Sequence, residues 1–195
     1  MIRSGGFLPG SSGRAWALCL GYVAAVYASL PFARGAVIAL RERGLLSGLM
    51  TLLFFVAAAA IAHHVVFDVR LSDRVAFFAL VLLAAAIGSL VLGLSVPEER
   101  IHFLEYGLLA VLARSAWARH LRPGAAYAAA WALATLAGWG DEALQGLLPE
   151  RVYDLRDVAI NSVAAFLALA VDEVLHDRLS WLGPHRERQA NPGRR

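Results

Sequence analysis

Two short polar segments carry most of the residues in this chain that could do chemistry. The first, HFLEYG at 102–107, places His102, Glu105 and Tyr106 within an arc of about 100° on one helical face, because an α-helix advances ~100° per residue. The second, DEALQGLLPERVYDLRDVAIN at 141–161, presents Asp141, Glu142 and Gln145 over a similar arc, then Asp157 and Asn161 one turn apart. A histidine beside carboxylates suits acid or base work, and the same set offers nitrogen and oxygen ligands to a divalent metal. Arg100 and Arg151, which flank the two segments, suit clamping a phosphate or carboxylate head group. The catalytic candidates are therefore His102, Glu105, Asp141, Glu142 and Asp157, and the binding candidates are Arg100, Tyr106, Gln145, Arg151 and Asn161. No nucleophile stands beside an activating base, and no spacing matches a metal motif such as HExxH. These residues specify a site but not a reaction, so enzyme and binding protein both stay open.

The elements that position them are membrane helices. The chain has 195 residues, is 59% hydrophobic and only 17% charged, where a soluble domain carries about a quarter charged residues. Its mean hydropathy is +0.59, and apolar runs of about 18 residues or more recur along it, each long enough for a ~30 Å hydrocarbon core. The sequence predicts an all-α, polytopic transmembrane bundle of six spans, at about 15–33, 45–67, 74–96, 101–118, 124–142 and 157–175. Pro31, Pro97, Pro123 and Pro149 fall at or near the expected helix ends. Residues 1–14 and 183–195 read as disordered, leaving 15–182 as the membrane domain, with its motif core at 97–168. Ala25–Ala28 has a small-residue pattern like a signal-peptide cleavage site, but the apolar stretch is longer than a usual signal core, so the first span is expected to be retained.

Charge gives the orientation. Every basic residue is Arg, and with six spans twelve of the 18 fall on the side shared by both termini. The other side holds Arg34, Arg41, Arg43, Arg100, Arg151 and Arg156, so both termini are expected in the cytoplasm. Both polar segments then reach the outer surface. Trp16 and Trp117 are expected at the inner boundary and Trp139 at the outer one. The pI of 9.5 reflects these loop and tail arginines, not nucleic-acid binding. The single cysteine, Cys19, excludes an internal disulfide and reads as a small buried thiol.

Plainer readings exist for each polar residue. Asp154 stands where an N-cap would precede the last span, and Glu98 and Glu99 read as solvated loop charges. Asp141, Glu142, Asp157 and Asn161 could form with Arg151 an interhelical latch that only fixes packing. His63 and His64 lie away from the cluster and read as interfacial or structural. Glu105 is the hardest to set aside. It lies a full turn inside an apolar run, where a charge at mid-membrane costs roughly 2.5–3.5 kcal/mol on insertion scales.

The order of these residues resembles the VanZ-like family of bacterial membrane proteins. Ser29 and Pro31 match its outer-end element on the first helix, and Glu99 and Arg100 stand where an acidic–basic pair precedes His102, Phe103, Glu105 and Tyr106. Asp141, Glu142, Gln145, Pro149, Arg151, Asp157 and Asn161 complete the pattern in order. The likeness covers 97–118 and 124–168 well and the first helix loosely. Arg100 replaces the commoner Lys, Ala164 sits where Gly often follows the Asn, and the second and third spans are additional to the shorter members. The resemblance implies a multi-pass protein of the bacterial cytoplasmic membrane acting toward an envelope component: a lipid head group, a lipid-linked precursor or a glycopeptide. It also implies a link to teicoplanin-type resistance. A membrane enzyme using His102 and carboxylates, with or without a divalent metal, and a non-catalytic structural subunit are the alternatives. Membrane lipids are expected partners, nucleic acid is not, and the sequence leaves the oligomeric state open.

Overall fold

The computed structural model describes residues 11–65, 74–94, 96, 99–148 and 153–176. Of the ends expected to be disordered, 183–195 lies outside these residues, and 1–14 lies outside them up to residue 10 but is helical from Ser12, where the first helix begins. Six α-helices make up the described chain: α1 (Ser12–Glu42), α2 (Leu46–His63), α3 (Arg74–Gly93), α4 (Glu99–Trp117), α5 (Pro123–Gln145) and α6 (Leu155–His176). No strand occurs among the described residues. Four helices have membrane-crossing length and apolarity: α1 over Ser12–Ala33, α2, α3 and α6. Their outward faces carry Phe55, Phe77, Leu82 and Phe166, all exposed, as lipid contact requires and water would penalise. The chain is an integral membrane protein.

The core is α4, α5 and α6, each packed on the other two, with α1 laid against α4 and α5. α3 touches α6, and α2 makes only slight contact with α1 and α4. Close packing of the core follows from residue size. On α5, Ala126, Ala130, Ala134 and Gly138 recur every fourth residue and are buried, so one helix face carries little more than backbone. Ala110 and Ala113 of α4 and Ala164 and Ala165 of α6 meet this stripe in the same core, beside the buried thiol of Cys19.

Local signals set several boundaries. Pro123 occupies the first turn of α5, where its missing N–H costs nothing, and Asp154 caps α6 by accepting from the Arg156 N–H at 2.8 Å. The N-cap reading of Asp154 is therefore the one observed. Just past the end of α1 lies Gly44, whose φ of 68° falls in the left-handed region. Leu45 N–H donates to Leu40 O and Gly44 N–H to Arg41 O, both at 2.9 Å, which closes the helix end.

Two expectations need correction. Pro31 lies inside α1, which continues to Glu42 and so takes up Arg34 and Arg41, expected in a loop. Proline is tolerated inside membrane helices, and 31 residues span about 46 Å, enough for the last turns to pass beyond the hydrocarbon. Arg114, counted among cytoplasmic loop charges, is instead buried within α4. Its Nε donates to Asp172 Oδ2 of α6 at 2.6 Å, Tyr127 OH donates to the same oxygen at 3.1 Å, and His176 Nδ1 lies 3.1 Å from Oδ1. This cluster ties α4, α5 and α6 together at one end of the bundle. At that same end Trp16 and Trp117 meet edge to face at 4.8 Å, and Ser12 Oγ pairs with His120 Nε2 at 2.7 Å.

The Arg114–Asp172 and Arg156–Glu99 ion pairs differ sharply in burial. Removing one partner of a buried pair strands a charge, so Asp172→Ala should lower unfolding stability by about 3–5 kcal/mol. Arg156→Ala breaks the pair with Glu99, whose arginine side is half-exposed, and should cost less, about 1–3 kcal/mol, as one buried carboxylate loses a partner. Chemical denaturation in detergent, read by circular dichroism, checks the ordering.

Candidate functional site

At the opposite end of the core, the two polar segments come together. His102 of α4, Glu142 of α5 and Asp157 of α6 each bring a donor atom within 4.8 Å of the other two. Such separations suit a cation's ligand shell. Asp141 and Glu142 are both 1% exposed and Asn161 is 0% exposed, so the floor of the site is sealed inside the bundle. Tyr106 OH donates to Asp141 Oδ2 at 2.7 Å in this sealed region and joins α4 to α5. Gln145, at the last residue of α5, is also buried.

Helix geometry explains the convergence. His102 and Tyr106 are one turn apart on α4, and their rings lie 6.0 Å apart and nearly parallel. Asp157 and Asn161 repeat that spacing on α6. Asn161 faces α5 at Gly138, where a Cβ would lie 2.8 Å from Asn161 Cβ. Only glycine admits this approach, and it sets Asn161 one turn beneath Glu142. Glu142 Oε2 in turn accepts from the Asp154 backbone N–H at 3.3 Å, coupling the α6 cap to the site. Two floor residues keep polar atoms that no protein group satisfies: Asp141 Oδ1, and both Oδ1 and Nδ2 of Asn161. Buried polar atoms are bonded in the great majority of cases, so these three are exceptional within the core of the site.

Not every candidate joins the centre. Glu105 stands beside it, with Oε2 3.8 Å from His102 Nδ1, placed to orient the imidazole more than to share its ligand. Arg100 does not line the pocket: its guanidinium donates to the Leu94 carbonyl just past α3, at 3.1 Å. Arg151 lies outside the described residues, as do Glu98 and Pro149. Arg156 holds the position at the rim that Arg100 was expected to take, donating to Glu99 Oε1 at 2.8 Å across α6 and α4. Glu99 is thus a buried bridge and not a solvated loop charge. Sequence offered a signal for this pair, since Glu99 precedes His102 by three residues and Arg156 adjoins Asp157. His63 and His64 are remote from the centre, and the His64 ring lies 6.2 Å from His176 at the other end.

The Arg114–Asp172 cluster is the other feature sequence reasoning missed. Its signal was an acid within the last turns of an apolar helix and a buried-position arginine at the same end of another.

In comparisons with protein-family models, curated proteins and solved structures, nothing matches this chain.

The Gly138 contact gives a direct test of the close approach. Gly138→Ala should force α5 and α6 apart and cost about 1–3 kcal/mol. Gly88→Ala, where a Cβ meets nothing within 4 Å, should be neutral or stabilising. Thermal unfolding of both variants in detergent checks this contrast.

Proposed function

We propose that the chain is a six-span protein of the bacterial cytoplasmic membrane, both termini inside, whose outward pocket binds the head group of a cell-envelope component. The observation that carries the reading is the meeting of His102, Glu142 and Asp157 from three helices over a sealed floor with unsatisfied polar atoms. A latch that only fixed packing would be expected to satisfy its buried groups internally, whereas Asp141 Oδ1 and both amide atoms of Asn161 have no hydrogen-bond partner among the described residues. In six antiparallel spans, α4 and α5 complete the four more apolar helices, and their charges face one another within the core. The arginine excess on the terminal side persists without Arg114 and supports an outward pocket. Membership of the VanZ-like family, proposed on the residues from Glu99 to Asn161, agrees with an outer-surface role and extends the proposed ligands to lipid-linked precursors and glycopeptides.

Binding tests this directly. Native mass spectrometry of the purified protein, with phosphatidylglycerol, a polyprenyl phosphate and a teicoplanin-type glycopeptide as separate probes, should show one retained by the wild-type chain. Asp141→Asn and Glu105→Gln should weaken that species at least tenfold, about 1.4 kcal/mol, in protein that still folds as judged by gel filtration. Full retention by both folded variants would leave the cluster a latch and end the binding reading. Orientation is tested separately. In a Cys19→Ser background, Leu147→Cys should react with a membrane-impermeant thiol reagent in intact cells, and Arg119→Cys should react only after lysis.

A further inference from the structure

We infer that the pocket holds a divalent transition-metal ion between His102 of α4, Glu142 of α5 and Asp157 of α6, and that this ion receives a phosphate oxygen of the head group. The second half rests on the head-group reading above; the first stands on geometry. One donor comes from each of three helices, and all lie within 4.8 Å of one another. Ligands about 2.0–2.2 Å from a metal stand roughly 3–4.4 Å apart, so closing the shell needs side-chain shifts of well under a helical step. One imidazole with two carboxylates suits zinc or manganese better than magnesium or calcium, which take oxygen ligands alone. The two carboxylates also balance the charge of a divalent ion.

A second observation points the same way. Asn161, wholly buried one turn beneath Asp157, has neither amide atom bonded to protein, and neighbouring Asp141 leaves Oδ1 without a partner. Asp141 adjoins Glu142 on α5 and Asn161 lies one turn from Asp157 on α6, so both stand next to the triad on the helices that carry it. Supports of the kind that orient metal ligands are present as well. Asp154 N–H donates to Glu142 Oε2, and the Glu105 carboxylate lies beside His102 Nδ1. Three protein ligands leave coordination positions open, as in sites that engage a substrate.

The experiment uses full-length protein in nanodiscs, stripped with EDTA and then equilibrated with Zn2+ or Mn2+ alone. Elemental analysis should find close to one ion per chain, with affinity reduced at least tenfold in Glu142→Gln and Asp157→Asn and unchanged in Glu42→Gln. The ion should also raise the unfolding temperature of the wild type but not of those two site variants. If His102→Gln fails to fold, as judged by gel filtration, the two carboxylate variants carry the test. No stoichiometric ion, or an ion retained equally by the site variants, overturns the metal site. Vesicles containing a polyprenyl phosphate should then bind the metal-loaded protein at least tenfold better than the stripped protein. Equal binding with and without metal removes the ion's role yet leaves the head-group reading standing. Metal bound without any vesicle binding leaves the ion site and removes the head group.

Discussion

Asp141, Glu142 and Asn161 are almost completely withdrawn from solvent between helices whose surroundings are lipid and alanine. Burial of such groups is tolerable only when partners are placed accurately, because an unmet polar group in low dielectric costs far more than one in water. The rest of the bundle can be understood from that constraint. Partners must come from different helices, so the helices must approach closely, and close approach requires side chains no larger than a methyl group along the contact. The stripe of Ala126, Ala130, Ala134 and Gly138 supplies it on α5. The Tyr106–Asp141 bond and the Gly138–Asn161 contact then fix how α4 and α6 sit against that stripe.

The core is pinned at both ends by polar groups and filled between them by small apolar ones. At one end Asp172 gathers Arg114, Tyr127 and His176, so charge, phenol and imidazole compensate one another. At the other, carboxylates, an imidazole and an amide meet with acceptors and donors left over. The two ends use similar residue types, and the recognition role proposed for the second rests on its convergence of donors from three helices. The slight contacts of α2 and the limited contacts of α3 leave this division to the four remaining helices.

Much of this was legible in sequence because membrane helices have a strong signal. Apolar length located all six helices to within a few residues except at α1, where Pro31 was taken as a boundary. In water that inference follows from the lost hydrogen bond, but in lipid the helix is the only economical state for the backbone and it continues. The i, i+4 spacing of His102 with Tyr106 and of Asp157 with Asn161 foretold shared faces. It could not tell which face met which helix, so Arg100 was assigned to the pocket and Arg156 was not. The same limit hid the Arg114–Asp172 pair. Each member alone looked like a residue near a helix end, and only packing of α4 on α6 makes them partners.

The central claim is that α4, α5 and α6 close their polar faces around one site at the outer end. Cross-linking in native membranes measures it most directly. In a Cys19→Ser background, the pair His102→Cys and Asp157→Cys should be joined in high yield by a short bifunctional thiol reagent, as should His102→Cys with Glu142→Cys. Failure of both pairs to join, with each cysteine reacting singly, would show two separate polar surfaces and contradict the account.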